Sequence, residues 1–172
     1  MSMTLRHHPV LGGKAALRLK DVTLEALPEG HVLQLLAAAP EAGPGLRERI
    51  GDSDLRPLAP GQWLLIGNAP LTPEDLTGLE ERLKPVADIV DQSHGRVRIA
   101  LSGPAARAVL AKGTAVNLDA AAFPVGHAAQ TLIGHIGAHL ARTGEDSFEL
   151  TVLRGFAESL WDDLAQMAAE FA

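Results

Sequence analysis

Residues 88–113 read DIVDQSHGRVRIALSGPAARAVLAKG, and the fold class is decided there. Ile89 and Val90, then Val97, Ile99 and Leu101, form two short β-rich runs. Ser93, His94 and Gly95 between them carry a turn signal, so the pattern predicts a hairpin. In the second run Arg96, Arg98 and Ala100 alternate with the apolar residues, which predicts one buried face and one that carries two cations into solvent. The strand ends at Ser102 and Gly103. Pro104 then stands where a first helical residue would, its missing N–H costing nothing there. Ala106, Val109 and Leu110 supply the apolar stripe of a helix, and Gly113 its stop.

Working outward toward the N-terminus, residues 1–14 have neither period nor core content and read as an arm. Leu17, Leu19, Val22 and Leu24, and then Val32 to Ala37, read as two strands joined by a turn at Pro28 to Gly30. A short helix is expected over 45–50, a loop over 57–61, and a wholly apolar buried strand over 62–66. Thr72, Pro73, Glu74 and Asp75 make a strong helix start, with a Thr cap, Pro in the first turn and acids on the positive end of the helix dipole. Leu76, Leu79 and Leu83 face the core, and Pro85 ends the helix.

Toward the C-terminus, 114–126 is a long apolar connection. Residues 131–140 have the period of one strand across a bend at Gly134 and Gly137. A further strand covers 148–153, and from Phe156 a helix presents Phe156, Leu160, Leu164, Met167 and Phe171 as one stripe. The sum is an α+β protein of two small related α/β sandwich units, antiparallel sheets with helices on one face. The units are residues 15–87 and 88–172, after the arm of residues 1–14.

Bulk properties remove several functions. The chain has 15 basic and 21 acidic residues, a formal charge of −6, and 3% aromatic residues with no Tyr, so a basic groove with stacking rings for nucleic acid is not expected. Cys is absent, which removes disulfides, thiolate catalysis and Cys-based metal sites and fits a reducing compartment. No run approaches the ~20 apolar residues that span a bilayer, so the chain reads as cytoplasmic, with no membrane partner.

Candidate sites are few. His127, His135 and His139 crowd one region, but in a strand a four-residue separation is about 13 to 14 Å, too far for one zinc ion, so exposed strand histidines are expected in place of a metal site. Asp91, Ser93 and His94 read as a turn that bonds its own backbone, because neighbours on an extended chain face opposite ways and no GxSxG elbow exists. Ser102 to Pro104 lacks a GxGxxG or Walker pattern. Trp63 and Trp161 read as core or interface anchors. The apolar 114–126 connection offers Phe123 as a partner anchor. No catalytic, cofactor-binding or metal-binding residue is legible.

Asp91, Ser93, His94, the strand Val97 to Leu101, Ser102 to Ala105, Leu110, Lys112 and Gly113 resemble the gamma subunits of heterotetrameric sarcosine oxidases. The likeness continues through Phe123 to Gly126, Gln130, Thr131, Phe148 and Ser159 to Trp161. That family is in turn similar to the folate-binding aminomethyltransferase of the glycine cleavage system, whose folate-binding fold is therefore implied. The resemblance implies a subunit of an oxidoreductase that demethylates sarcosine to glycine, yields hydrogen peroxide and passes a methylene group to tetrahydrofolate. FAD, FMN, NAD and tetrahydrofolate are implied for the other subunits, and alpha, beta and delta subunits as partners. The resemblance gives His94 a place at a partner or ligand, and with Phe123 and Trp161 it makes up the candidate partner interface. At the position that looks equivalent to the aminomethyltransferase folate Asp stands Asn117, and Ile136 to Leu140 occupy the place of later acids. An amide cannot act as a general base, so an assembly role is expected over the alternative, a free-standing folate-binding or aminomethyl-transfer protein.

Overall fold

The computed structural model describes residues 8–172. Its elements in chain order are β1 (Leu17–Arg18), β2 (Thr23–Ala26), β3 (His31–Leu36), α1 (Gly43–Ile50), β4 (Asp54–Ala59), β5 (Gln62–Gly67), α2 (Pro73–Leu83), β6 (Asp88–Asp91), β7 (Arg96–Ser102), α3 (Ala106–Ala111), β8 (Ala128–Ile133), β9 (Ile136–Gly144), β10 (Ser147–Leu153) and α4 (Ala157–Ala168). They build a six-stranded sheet, order β1-β2-β7-β10-β9-β8, and a four-stranded sheet, order β4-β5-β3-β6. Every described pairing is antiparallel.

Alternation decides how the sheets stack. Val97, Ile99 and Leu101 of β7 and Phe148, Leu150 and Val152 of β10 join α3 and α4 in the larger core. Leu33, Leu35, Leu55, Trp63 and Leu65 join Leu46 of α1 and Leu79 and Leu83 of α2 in a second. The opposite face of the small sheet contributes Val32, Leu64 and Ile66 to a third, small cluster. That face lies against the large sheet, which gives four layers, helix–sheet–sheet–helix, with each sheet covered by helices on one face.

The expected hairpin at residues 93–95 does not form. β6 pairs with β3 in the small sheet, whereas β7 pairs with β2 and β10 in the large one. A turn signal fixes a change of direction but not which strand is the partner, and here the link carries the chain from one sheet to the other. The turn at Pro28 to Gly30 does the same, because β2 and β3 also lie in different sheets. The chain thus leaves the large sheet after Ala26, builds the small sheet over residues 31–91 and returns at Arg96. β1 and β2 fall before residue 87 yet complete the large sheet, and β6 falls after it yet completes the small one.

Other departures have local causes. The loop expected at 57–61 is mostly β4, a strand at the sheet edge that tolerates Pro57 because an edge strand has a side where no N–H is needed. Residues 131–140 are two strands, since Gly134 (φ +59°) and His135 reverse the chain between Ile133 and Ile136. Glycine first in a two-residue loop is the type II′ preference. Phe156 is 51% exposed and precedes α4, whose buried stripe is Ala157, Leu160, Trp161, Leu164 and Ala168. Residues 1–7 of the expected arm lie outside the described residues, and beyond them Leu11 is buried in the larger core.

The α2 start is as expected: Thr72 Oγ1 accepts from the Asp75 N–H at 3.1 Å, and the Asp75 carboxylate accepts from the Thr72 N–H at 3.3 Å. α3 begins at Ala106, two residues beyond Pro104, and the Ala105 N–H, which has no intrahelical partner there, donates to Asp21 O at 2.9 Å. At Gly103 (φ +111°) a Cβ would meet that same carbonyl oxygen at 2.6 Å, so only glycine fits the approach of the two loops.

Candidate functional site

The layer between the sheets is polar. Parity places Arg96 and Arg98 of β7, Glu149, Thr151 and Leu153 of β10, and His139 of β9 on the large-sheet face that meets the small sheet. The expectation that Arg96 and Arg98 point to solvent therefore fails: Arg98 is 6% exposed and Arg96 half-buried. His139, expected on an exposed strand, is fully buried, while His127 and His135 are exposed. A second sheet covers the face that an isolated strand would offer to water, and no residue within 88–113 announces it.

Glu149 is the hub. Its carboxylate accepts from Arg98 Nε at 2.7 Å and Nη2 at 3.1 Å, and from Arg56 Nη2 of β4 at 3.0 Å, with Arg56 Nη1 at 2.9 Å. Arg56 also donates to Asp54 at 2.5 Å, and Arg98 Nη1 to Asn68 Oδ1 at 2.9 Å and Gly67 O at 3.2 Å. Burial by itself would raise the Glu149 pKa, but the hydrogen bonds from Arg98 and Arg56 outweigh it and hold the carboxyl below its usual range. Arg56 is subject to the same opposition: burial lowers its pKa, while Asp54 and Glu149 together raise it further. A buried carboxylate held in its charged form by two guanidinium groups is poorly placed to carry a proton. The cluster fastens β4, β5, β7 and β10 to one another.

Beside it, His139 Nε2 lies 2.9 Å from Pro57 O. A carbonyl only accepts, so Nε2 carries the proton and Nδ1 is bare. Burial lowers the His139 pKa, the Pro57 bond opposes this, and the charge of Arg56 adds to the lowering. Four buried polar atoms here have no hydrogen-bond partner among the described residues: His139 Nδ1, Thr151 Oγ1, Arg96 Nε and Arg56 Nη1, the last still within ion-pair distance of Glu149 at 2.9 Å.

The 91–94 turn is held by its own bonds. The Asp91 carboxylate accepts from Ser93 Oγ at 2.5 Å and Ser93 N at 2.8 Å, and Ser93 Oγ accepts from Val32 N at 3.1 Å. The Ser93 hydroxyl bond is the main cause of the lowered Asp91 pKa. His94 is exposed, and its carbonyl accepts from Arg154 Nε at 2.6 Å. A cavity of ≈260 Å³ lies alongside, bordered by Glu29, His31, Leu33, Leu71, Asp91 and His94.

The 114–126 connection packs inward through two side chains, Leu118 and Phe123. Phe123 is 5% exposed in the larger core with Leu118, and its carbonyl accepts from Arg142 Nη1 at 2.9 Å. Of the loop's apolar residues Leu118 and Phe123 close the sheet and Val116 is half-buried, while Ala115, Ala120 to Ala122 and Val125, the last at 57%, are exposed. Trp161 is 5% exposed in the same core. Of the three residues expected at a partner contact, His94 alone is on the surface. Asn117 is exposed and uses Oδ1 to accept from Asp119 N at 3.1 Å, a turn bond within its own loop. Arg56, Glu149 and Arg142 were not anticipated. The signal was present in β10, SFELTVL, where one acid interrupts a strand otherwise free of charge.

Among the described residues no group of three or more His, Cys, Asp or Glu side chains is placed to hold a metal, and no helix is long and apolar enough to cross a membrane.

Residues 51–172 match the family model of the GCVT N-terminal domain. An aminomethyltransferase of Herpetosiphon aurantiacus is 34% identical over 116 residues, covering 65% of this chain but only 32% of that protein. Sarcosine oxidase gamma subunits are matched along most of their length: 31% identity over 88% of this chain and 77% of the protein from Corynebacterium sp. strain P-1. The gamma subunit of strain U-96 gives 30% identity over 94% of this chain and 84% of that one. In structure, a chain of the heterotetrameric sarcosine oxidase of Corynebacterium sp. U-96 superposes with a TM-score of 0.82 at 25% identity, covering 96% of both. The glycine cleavage aminomethyltransferase of Bartonella henselae gives 0.60 at 19% identity over 84% of this chain and 45% of that one, a likeness of fold.

Proposed function

We propose that this chain, which belongs to the GCVT N-terminal domain family and within it to the gamma subunits of sarcosine oxidase, is the small, non-catalytic subunit of a heterotetrameric sarcosine oxidase. In that reading the assembled enzyme demethylates sarcosine to glycine, with FAD, FMN, NAD and tetrahydrofolate held by the alpha, beta and delta subunits. This chain contributes assembly and stability, and the proposal keeps the cytoplasmic location expected from the sequence. The observation that carries it is coverage: the chain runs nearly end to end with a subunit of a solved heterotetramer but spans about a third of the aminomethyltransferases it resembles.

The polar groups support the non-catalytic part. Glu149 is paired with two arginines, and Asn117 is engaged in its own turn. Co-expression with the other three subunits tests the reading: a complex containing this chain, with sarcosine oxidation lost or destabilised when it is omitted, is the expected result. A complex equally active and stable without it would overturn the assembly role.

A free-standing folate-binding protein is favoured by the matched domain and the partial likeness to aminomethyltransferases. Calorimetry of the isolated chain with tetrahydrofolate decides it, and micromolar binding abolished by Asn117→Ala would move the conclusion there.

A further inference from the structure

We propose that the mouth of the space between the two sheets, where Arg96 stands beside Leu153, receives an Asp or Glu carboxylate of a partner subunit set in an apolar surround. The inference rests on the subunit reading above and adds to it a surface and a chemistry.

Arg96 and Leu153 are direct cross-strand partners at the ends of β7 and β10, on the face that carries Arg98 and Glu149 deeper in. The deeper positions are balanced, because Glu149 serves both Arg98 and Arg56, and Asp54 serves Arg56 again. Neither acid is left for Arg96. Among the described residues Arg96 makes no ion pair, and its buried Nε has no acceptor. Burial also lowers its pKa, with no opposing contribution from a carboxylate. Drawing a guanidinium from water without a counter-ion costs stability, so the isolated chain gains nothing from this residue's charge.

Exposed apolar side chains stand at Arg96's cross-strand partner and at neighbouring strand ends. Leu153 is 45% exposed, and Phe156, three residues on, is 51% exposed. Val90 of β6, 39% exposed, lies opposite Gln34 on the small-sheet face turned toward the large sheet. These are three of the five large apolar side chains exposed among the described residues, all close in sequence to the ends of β6, β7 and β10. Arginine within apolar and aromatic residues is the composition of binding hot spots, and its planar fork fits a carboxylate with two parallel hydrogen bonds.

The test uses the full chain and the assembled oxidase, with Arg96→Met, Arg96→Lys and Arg96→Glu. The proposal expects Arg96→Met to leave the melting temperature of the isolated chain unchanged or higher, and to weaken its retention on the tagged larger subunits by about tenfold or more. Arg96→Lys recovers part of the retention, and Arg96→Glu loses more than Arg96→Met. Wild-type retention for Arg96→Met would overturn the proposal while leaving the subunit reading intact. So would loss of stability in the isolated chain equal to the loss in assembly. Acetate that stabilises the wild-type chain but not Arg96→Met, with assembly unaffected, would reassign the site to a free anion and equally overturn it. Failure of the wild-type chain to join the larger subunits would overturn the subunit reading and this inference with it.

Discussion

Thr151 stands directly across the β9–β10 ladder from His139, both fully buried, and neither Thr151 Oγ1 nor His139 Nδ1 has a hydrogen-bond partner among the described residues. The pair lies beside the Arg56–Glu149–Arg98 cluster, so the layer between the sheets holds three kinds of polar group with different debts to water. Satisfied charges lock the sheets in register, whereas the neutral imidazole makes the lock sensitive to acid.

That sensitivity has a definite sign. The folded-state pKa of His139 lies below its ordinary 6.5, so protonation favours the unfolded chain. The stability is fully present above the unfolded value and falls as pH drops below it toward the folded pKa. Unfolding in urea at a series of pH values from 8 to 5 should show the decline. His139→Leu should cost about 1 to 3 kcal/mol at pH 8, because Pro57 O loses its donor, and should flatten that decline. Parallel curves for the two proteins would show that His139 is not the titrating group.

A second, lower window belongs to Glu149. Its folded pKa is depressed below 4.5, so its contribution is present above that value and lost as pH falls below it through the folded pKa. Glu149→Ala leaves Arg98 and Arg56 with buried charge, and breaking a buried pair in this way costs about 3 to 5 kcal/mol. Arg56 retains Asp54, so the cost falls mainly on Arg98, and Arg98→Met combined with Glu149→Ala should recover part of it. A double variant no more stable than Glu149→Ala alone would contradict that account.

The α2 cap offers a local counterpart. Thr72→Ala removes the acceptor for the Asp75 N–H and should lower stability by about 1 kcal/mol in the same urea measurement, with no change in pH dependence. A loss of several kcal/mol would mean that the cap also positions α2 against Leu46 and Trp63 in the second core.

This contrast explains what was legible. The α2 start depends on residues 72–75 alone, and β5 on an unbroken apolar run, so both could be read from short windows. The partners of β6 and β7 depend on residues far away: β3 takes one and β2 with β10 take the other. For the same reason Arg98 looked like a solvated strand residue. Alternation within a strand says which side chains share a face, but not whether a second sheet lies over it. Phe123 and Trp161 were judged by residue type, and aromatic rings serve cores as readily as interfaces, so the sequence left open the burial that both show in the larger core.

The loop around Phe123 yields the last prediction. Phe123 is 5% exposed, sits with Leu118 in the larger core and offers its carbonyl to Arg142, whose guanidinium carbon also lies 5.5 Å from the Phe148 ring centroid. Removing the ring takes away core contacts and loosens the segment that positions this carbonyl, so Phe123→Ala should cost about 3 to 5 kcal/mol. Val125, two residues on and 57% exposed, makes a control within the same loop, and Val125→Ser should change stability by less than about 0.5 kcal/mol. Melting temperatures of the two variants in the isolated chain separate the cases: a large drop for Phe123→Ala alone is expected. Equal, small effects would mean that the loop is not part of the core, and Phe123 would return as a contact for a partner subunit.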